Sequence, residues 1–143
     1  MRAGIEESRH QRASGQVQIR FSAAPGGRTA LADLFQCAPC RALFPCSEPG
    51  NLTQAVLLTT TGGLTGGDRI RIDMRLDERA RASVTTQAAE KIYRALPSEE
   101  PVYIDAHFRL GHGSWGEWLA QETILFADAR LHRRLEADVA IRA

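Results

Sequence analysis

Cys37-Ala-Pro-Cys40 is the spacing in this chain most suggestive of chemistry, because two thiolates separated by two residues can chelate a soft metal ion or cycle through a disulfide. Cys46 and four histidines could add ligands. A closed metal site also needs a second ligand pair with its own spacing. His107 and His112 do not provide one, and no βα pattern surrounds the cysteines as in a redox motif. His10 falls in a polar N-terminal stretch and His132 beside Arg133 and Arg134, so the bland reading of each histidine is a solvated or packed side chain. Cys37, Cys40 and Cys46 therefore define an alternative, a cytoplasmic thiol metal-binding or redox β protein. Cys37 and Cys40 are its weak candidate ligands.

Gly62-Gly63-Leu64-Thr65-Gly66-Gly67-Asp68 is the densest glycine run. Successive amides in such turns can form an anion-binding nest. The run lacks the Lys-Ser/Thr of a phosphate-binding loop, so a tight reversal between strands, with Asp68 accepting from local amides, is the stronger reading. No GxSxG elbow occurs, and the carboxylate pairs Glu99/Glu100 and Glu117/Glu122 have the look of surface charge. We expect no catalytic constellation and no enzyme.

The elements that must hold these residues are strands. Arg69 to Leu76, RIRIDMRL, alternates polar with apolar, the pattern of a half-wet strand, and we expect antiparallel neighbours for it. Val17 to Phe21 and Arg28 to Phe35 flank the turn-forming Ala24 to Gly27 as a hairpin. Ala55 to Thr60, Arg81 to Thr86, Val102 to Leu110, GEWLA, TILF and RLHRRLEADVAI read as further strands. Residues 37 to 53, with Pro39, Pro45, Pro49 and Gly50, read as a loop, and residues 87 to 96 fit a helical turn or a strand. The spacing of Leu76, Leu110 and Val139 is too uneven to mark a repeat. Residues 1 to 15 read as a flexible arm ahead of one domain over 16 to 143.

The 143 residues are enough for one core, and 18 basic against 17 acidic residues leave a net charge of +1. That balance argues against nucleic acid or a membrane surface as partner. No apolar run is long enough to span a bilayer, and the odd cysteine count suits a reducing, cytoplasmic compartment. Lys91 is the only Lys among the 18 Lys and Arg residues.

Lys91 falls within Thr85 to Arg94, TTQAAEKIYR, and farther on comes Glu117 to Phe126, EWLAQETILF. Together with AVLLTTTGGLTGGDRIRIDMRL before them, these stretches resemble, in order and wording, the N-terminal half of the urease accessory family UreD, also called UreH. The resemblance implies an all-β, two-layer coiled structure with antiparallel or mixed sheets, truncated here because family members run to roughly twice this length. It also implies a cytoplasmic scaffold that assists nickel insertion into apo-urease together with a second accessory protein and a nickel-carrying GTPase. Nickel is then a transported ion, not a resident cofactor. By motif, Thr61, Gly62, Gly63, Gly66, Gly67 and Asp68 would border an internal passage. Thr86, Gln87, Glu90, Lys91, Tyr93, Trp118, Gln121, Glu122 and Thr123 would be the other signature positions, read as architecture and interface. Ala120 departs from the family, which usually has Pro there.

Overall fold

The computed structural model describes residues 11 to 141. The chain opens with two hairpins. Strand β1 (Ser14–Ala23) turns through Pro25–Gly27 into β2 (Thr29–Cys37), and β3 (Cys40–Leu43) pairs antiparallel with β4 (Thr53–Thr59). From there the chain winds. β5 (Arg69–Leu76), β6 (Arg81–Thr86) and β7 (Glu90–Ile92) enter three different sheets. β8 (Val102–Leu110), β9 (Trp115–Leu119) and β10 (Thr123–Leu125) enter the same three in the same order, and β11 (Leu131–Val139) returns to the first. The sheets have orders β11-β8-β5-β1-β2, β3-β4-β6-β9 and β10-β7. The fold is all-β and coiled, with two main layers and a short third side.

Its ladders are mostly parallel. β5 runs parallel to both β1 and β8, β8 to β11, β4 to β6, β6 to β9, and β7 to β10. This corrects the antiparallel neighbours expected for β5. Alternation reports that one face of a strand is wet, and β5 does bury Ile70, Ile72, Met74 and Leu76 while its other face meets solvent. Parallel sheets are ordinarily wet on neither face because their crossovers are helices packed on the sheet. Here the crossovers are strands of the opposite sheets, so only the inner face is covered.

The winding also creates a repeat that the sequence hides. Leu76 pairs with Leu110, and Leu110 with Val139, so the three residues stack in one inward row that begins at Phe21. Their spacing is uneven because the connection from Ile92 to Val102 is longer than that from Leu125 to Leu131. Two further readings change. β3 interrupts the loop expected over residues 37 to 53, since Pro39 sits in the turn and Pro45 beyond the strand, leaving four residues free to pair. Residues 90 to 92, left between helix and strand, form β7. Of the expected arm, residues 1 to 10, including His10, lie outside the described residues. Arg12 pairs with Glu99, and the Ala13 amide donates to Asp68.

The core fills the space between the two main sheets with Val17, Ile19, Phe21, Leu57, Met74, Leu76, Val84 and Phe108. Trp118 covers Phe108 at 5.1 Å between ring centroids, and Trp115 is exposed.

Candidate functional site: a cavity inside the coil

Between the two main sheets the side chains leave a cavity of about 240 Å³. One wall is apolar: Val17, Ile70, Ile72 and Ile104 from the first sheet and Leu57 from the second. The rest of the lining includes a polar wall formed by Thr59, Thr86, Gln87, Glu90 and Lys91, and Cys40, Gly62 and Gly63 also border the cavity. The polarity follows from local structure. Thr59 and Thr86 are the last residues of β4 and β6, Glu90 and Lys91 open β7, and Gln87 lies between β6 and β7, so the polar groups collect where the chain rounds a corner of the coil.

Two titratable groups in this wall respond to burial. The Glu90 carboxyl is raised above its ordinary range by desolvation, an effect opposed by the Arg133 charge. The Cys40 thiol is pushed up to about 11, chiefly by burial, with smaller contributions from Cys37 and Glu90. A thiol with that pKa is protonated at neutral pH and is neither a good metal ligand nor a nucleophile. Cys37 is half-buried and Cys46 exposed, all three cysteines are unpaired, and no group of three His, Cys, Asp or Glu among the described residues could hold a metal ion. The thiol metal site considered from Cys37, Cys40 and Cys46 is therefore not assembled.

The glycine turn packs beside the cavity and is held by its own bonds. Asp68, 4% exposed, accepts from the amides of Ala13 at 2.8 Å and Thr65 at 2.9 Å. The Leu64 amide donates to the Lys91 carbonyl and the Gly67 amide to the Pro101 carbonyl. These bonds tie the Leu64, Thr65 and Gly67 amides into the fold. Gly63 is needed for contact: a Cβ there would lie 2.3 Å from the Tyr93 ring. Tyr93 in turn stacks on Phe126 with centroids 5.1 Å apart.

The chain matches the family model described as "UreD urease accessory protein" over residues 13–143. It belongs to the UreD urease accessory protein family. Among curated relatives it is similar to the urease accessory protein UreD 1 of Methylobacterium radiotolerans, 45% identical over 132 residues, covering 91% of this chain and 44% of the relative. The urease accessory protein UreD of Rhizobium rhizogenes is 41% identical over 139 residues, covering 97% of this chain and 50% of that protein. The UreD of Magnetococcus marinus is 38% identical over 128 residues, with 90% and 43% covered. The chain thus spans about half the length of these UreD relatives.

Of the UreD signature positions read from the sequence, the fold gathers Gly62, Gly63, Thr86, Gln87, Glu90 and Lys91 around the cavity. The others support that wall or lie apart from it. The Gln121 amide donates to Thr86 Oγ1 at 2.9 Å, the Glu90 amide to the Glu122 carbonyl at 2.9 Å, and Thr123 Oγ1 accepts from Arg133 at 2.7 Å. Thr61, Gly66, Gly67, Asp68, Tyr93 and Trp118 do not line it. Sequence reasoning missed Thr59, whose inward position follows only from its place at the end of β4, and Arg133, an arginine in a row that otherwise faces the coil interior.

Proposed function

We propose that this chain is part of a cytoplasmic, non-catalytic scaffold that assists nickel insertion into apo-urease. It would act with a second accessory protein and a nickel-carrying GTPase, and the cavity in its coil would form one stretch of the ion's path. The family membership supports the urease accessory role. The cavity is the single observation that carries the path. Its volume of about 240 Å³ has room for several waters, enough to keep a divalent ion partly hydrated. Hydroxyl and amide groups from Thr59, Thr86 and Gln87 with one carboxylate, Glu90, replace a few hydration waters and exchange readily, which a path requires and a storage site does not.

The test is to co-express the chain, and a longer relative altered at the matching position, with urease and its other accessory proteins. Ala89 also lines the cavity, and Ala89→Phe fills space from that position. The expected result is unchanged co-purification with apo-urease and a fall of urease-bound nickel to background. Full nickel loading by the altered protein would remove the path, and failure of the unaltered proteins to co-purify with apo-urease would remove the scaffold role.

A further inference from the structure

The apolar wall of the cavity gives nothing to an ion on its way. Val17, Leu57, Ile70, Ile72 and Ile104 present aliphatic groups that neither coordinate a cation nor hydrogen-bond to water. Water beside such a wall has fewer partners than in bulk, and its displacement by an apolar group is favourable. Thr59, Gln87 and Glu90 border the same space, and among the described residues their side chains have no hydrogen-bond partner. Every lining residue lies between Val17 and Ile104, and none belongs to β9, β10 or β11. An aliphatic surface with a few unbonded polar groups on one side is the chemistry of a small-molecule pocket, in which the apolar part supplies affinity and the polar groups fix orientation.

We propose that the cavity is a binding site for one small, uncharged ring compound carrying a hydroxyl group, of the phenol class. Size sets the single ring. A cavity of roughly 150 Å³ lined by Leu, Ile and Phe takes up benzene, and the cavity here, about 240 Å³, admits one ring and a substituent. The ring lies against the five aliphatic side chains. Its hydroxyl donates to the Glu90 carboxyl and accepts from the Gln87 amide or the Thr59 hydroxyl, so both roles of one O–H are met.

Charge excludes other head groups. Arg41, which also borders the cavity, donates to the Cys40 carbonyl at 2.8 Å, and Lys91 is exposed to water. Glu90 is left as the charged group that faces a ligand. Its carboxylate repels an anion, and an ammonium loses more hydration beside the aliphatic wall than one carboxylate returns.

Titration of the 143-residue chain, labelled at its isoleucine methyls, with phenol and with benzene tests the site in the absence of nickel, so that a failure of the ion path would leave it standing. One-to-one saturation by phenol is expected, with Overhauser contacts from the ring protons to the methyls of Ile70, Ile72 and Ile104 and an affinity roughly tenfold above that of benzene. Benzoate and benzylamine should bind roughly tenfold more weakly than phenol. Ala89→Phe should abolish binding of phenol and benzene alike. Glu90→Met, close in volume and without a strong acceptor, should lower phenol to the level of benzene and leave benzene unchanged. Circular dichroism checks that the strands persist, and the ligand series on the unaltered chain decides the matter should either variant unfold. Absence of saturable phenol binding, ring contacts to the exposed Ile124 in place of Ile70, Ile72 and Ile104, or phenol binding indifferent to Glu90→Met would each overturn the proposal. Benzoate or benzylamine bound as tightly as phenol would overturn the uncharged class.

Discussion

The first and last turns of the coil use the same inward rows to opposite effect. Phe21 and Leu76 are 0% and 1% exposed, whereas Val139, in the same row, is 63% exposed. Likewise Val17 and Ile72 are buried and Leu135, two ladders away in their row, is not. The residue types hardly differ. What differs is the presence of another turn on the far side, so in this architecture burial is a property of the stack before it is a property of the residue.

The sharpest way to break that comparison is truncation along one row. Phe21→Ala should cost about 3–5 kcal/mol and Leu76→Ala about 2–5 kcal/mol, through lost transfer energy and the cavity left behind. Val139→Ala in the isolated chain should stay within about 0.5 kcal/mol. Urea unfolding of the three variants measures this. Equal losses at Leu76 and Val139 would mean that the last turn is covered in solution. Removing an acceptor inside the stack comes next in size. Asp68→Ala strips partners from the amides of Ala13 and Thr65 and should cost about 1–3 kcal/mol, with faster hydrogen exchange at both.

The smallest effect is a pH dependence from the cavity wall. Glu90 titrates above its unfolded value, so its protonated form favours the fold. That contribution is present below the ordinary glutamate range and is lost as pH rises through the raised value. Glu90→Gln should flatten stability across this window, and an unchanged midpoint-against-pH curve would refute the burial of Glu90.

Much of the strand inventory was legible because alternation over eight or nine residues, as in β5 and β8, leaves little choice of element. β7 was not, since Glu90 to Ile92 is shorter than any period that could identify it. Strand direction was invisible for a different reason. Ile70, Ile72, Met74 and Leu76 announce an inner face, and nothing in their order says which way the neighbour runs. The stacking of Leu76, Leu110 and Val139 was obscured by unequal loops and by rows that keep only polarity, and not even that where Arg133 follows Ile70 and Ile104. The cavity needed the fold itself, because Val17, Leu57 and Ile104 meet across long stretches of chain. The wording around Thr86 to Lys91 marked those positions as a family signature and said nothing of a cavity, since it was read as architecture and interface.

The two hairpins that precede the winding have a kinetic consequence. β1 with β2 and β3 with β4 close short loops, whereas each parallel ladder must join segments a full turn apart and bears the larger loss of chain freedom before any contact forms. The hairpins are thus the natural starting template, and successive turns wind onto them in the order in which a ribosome releases them. Pulse-labelled amides should be protected in β1 and β2 ahead of β8 and β11, so that the molecule assembles like a rope laid from one end.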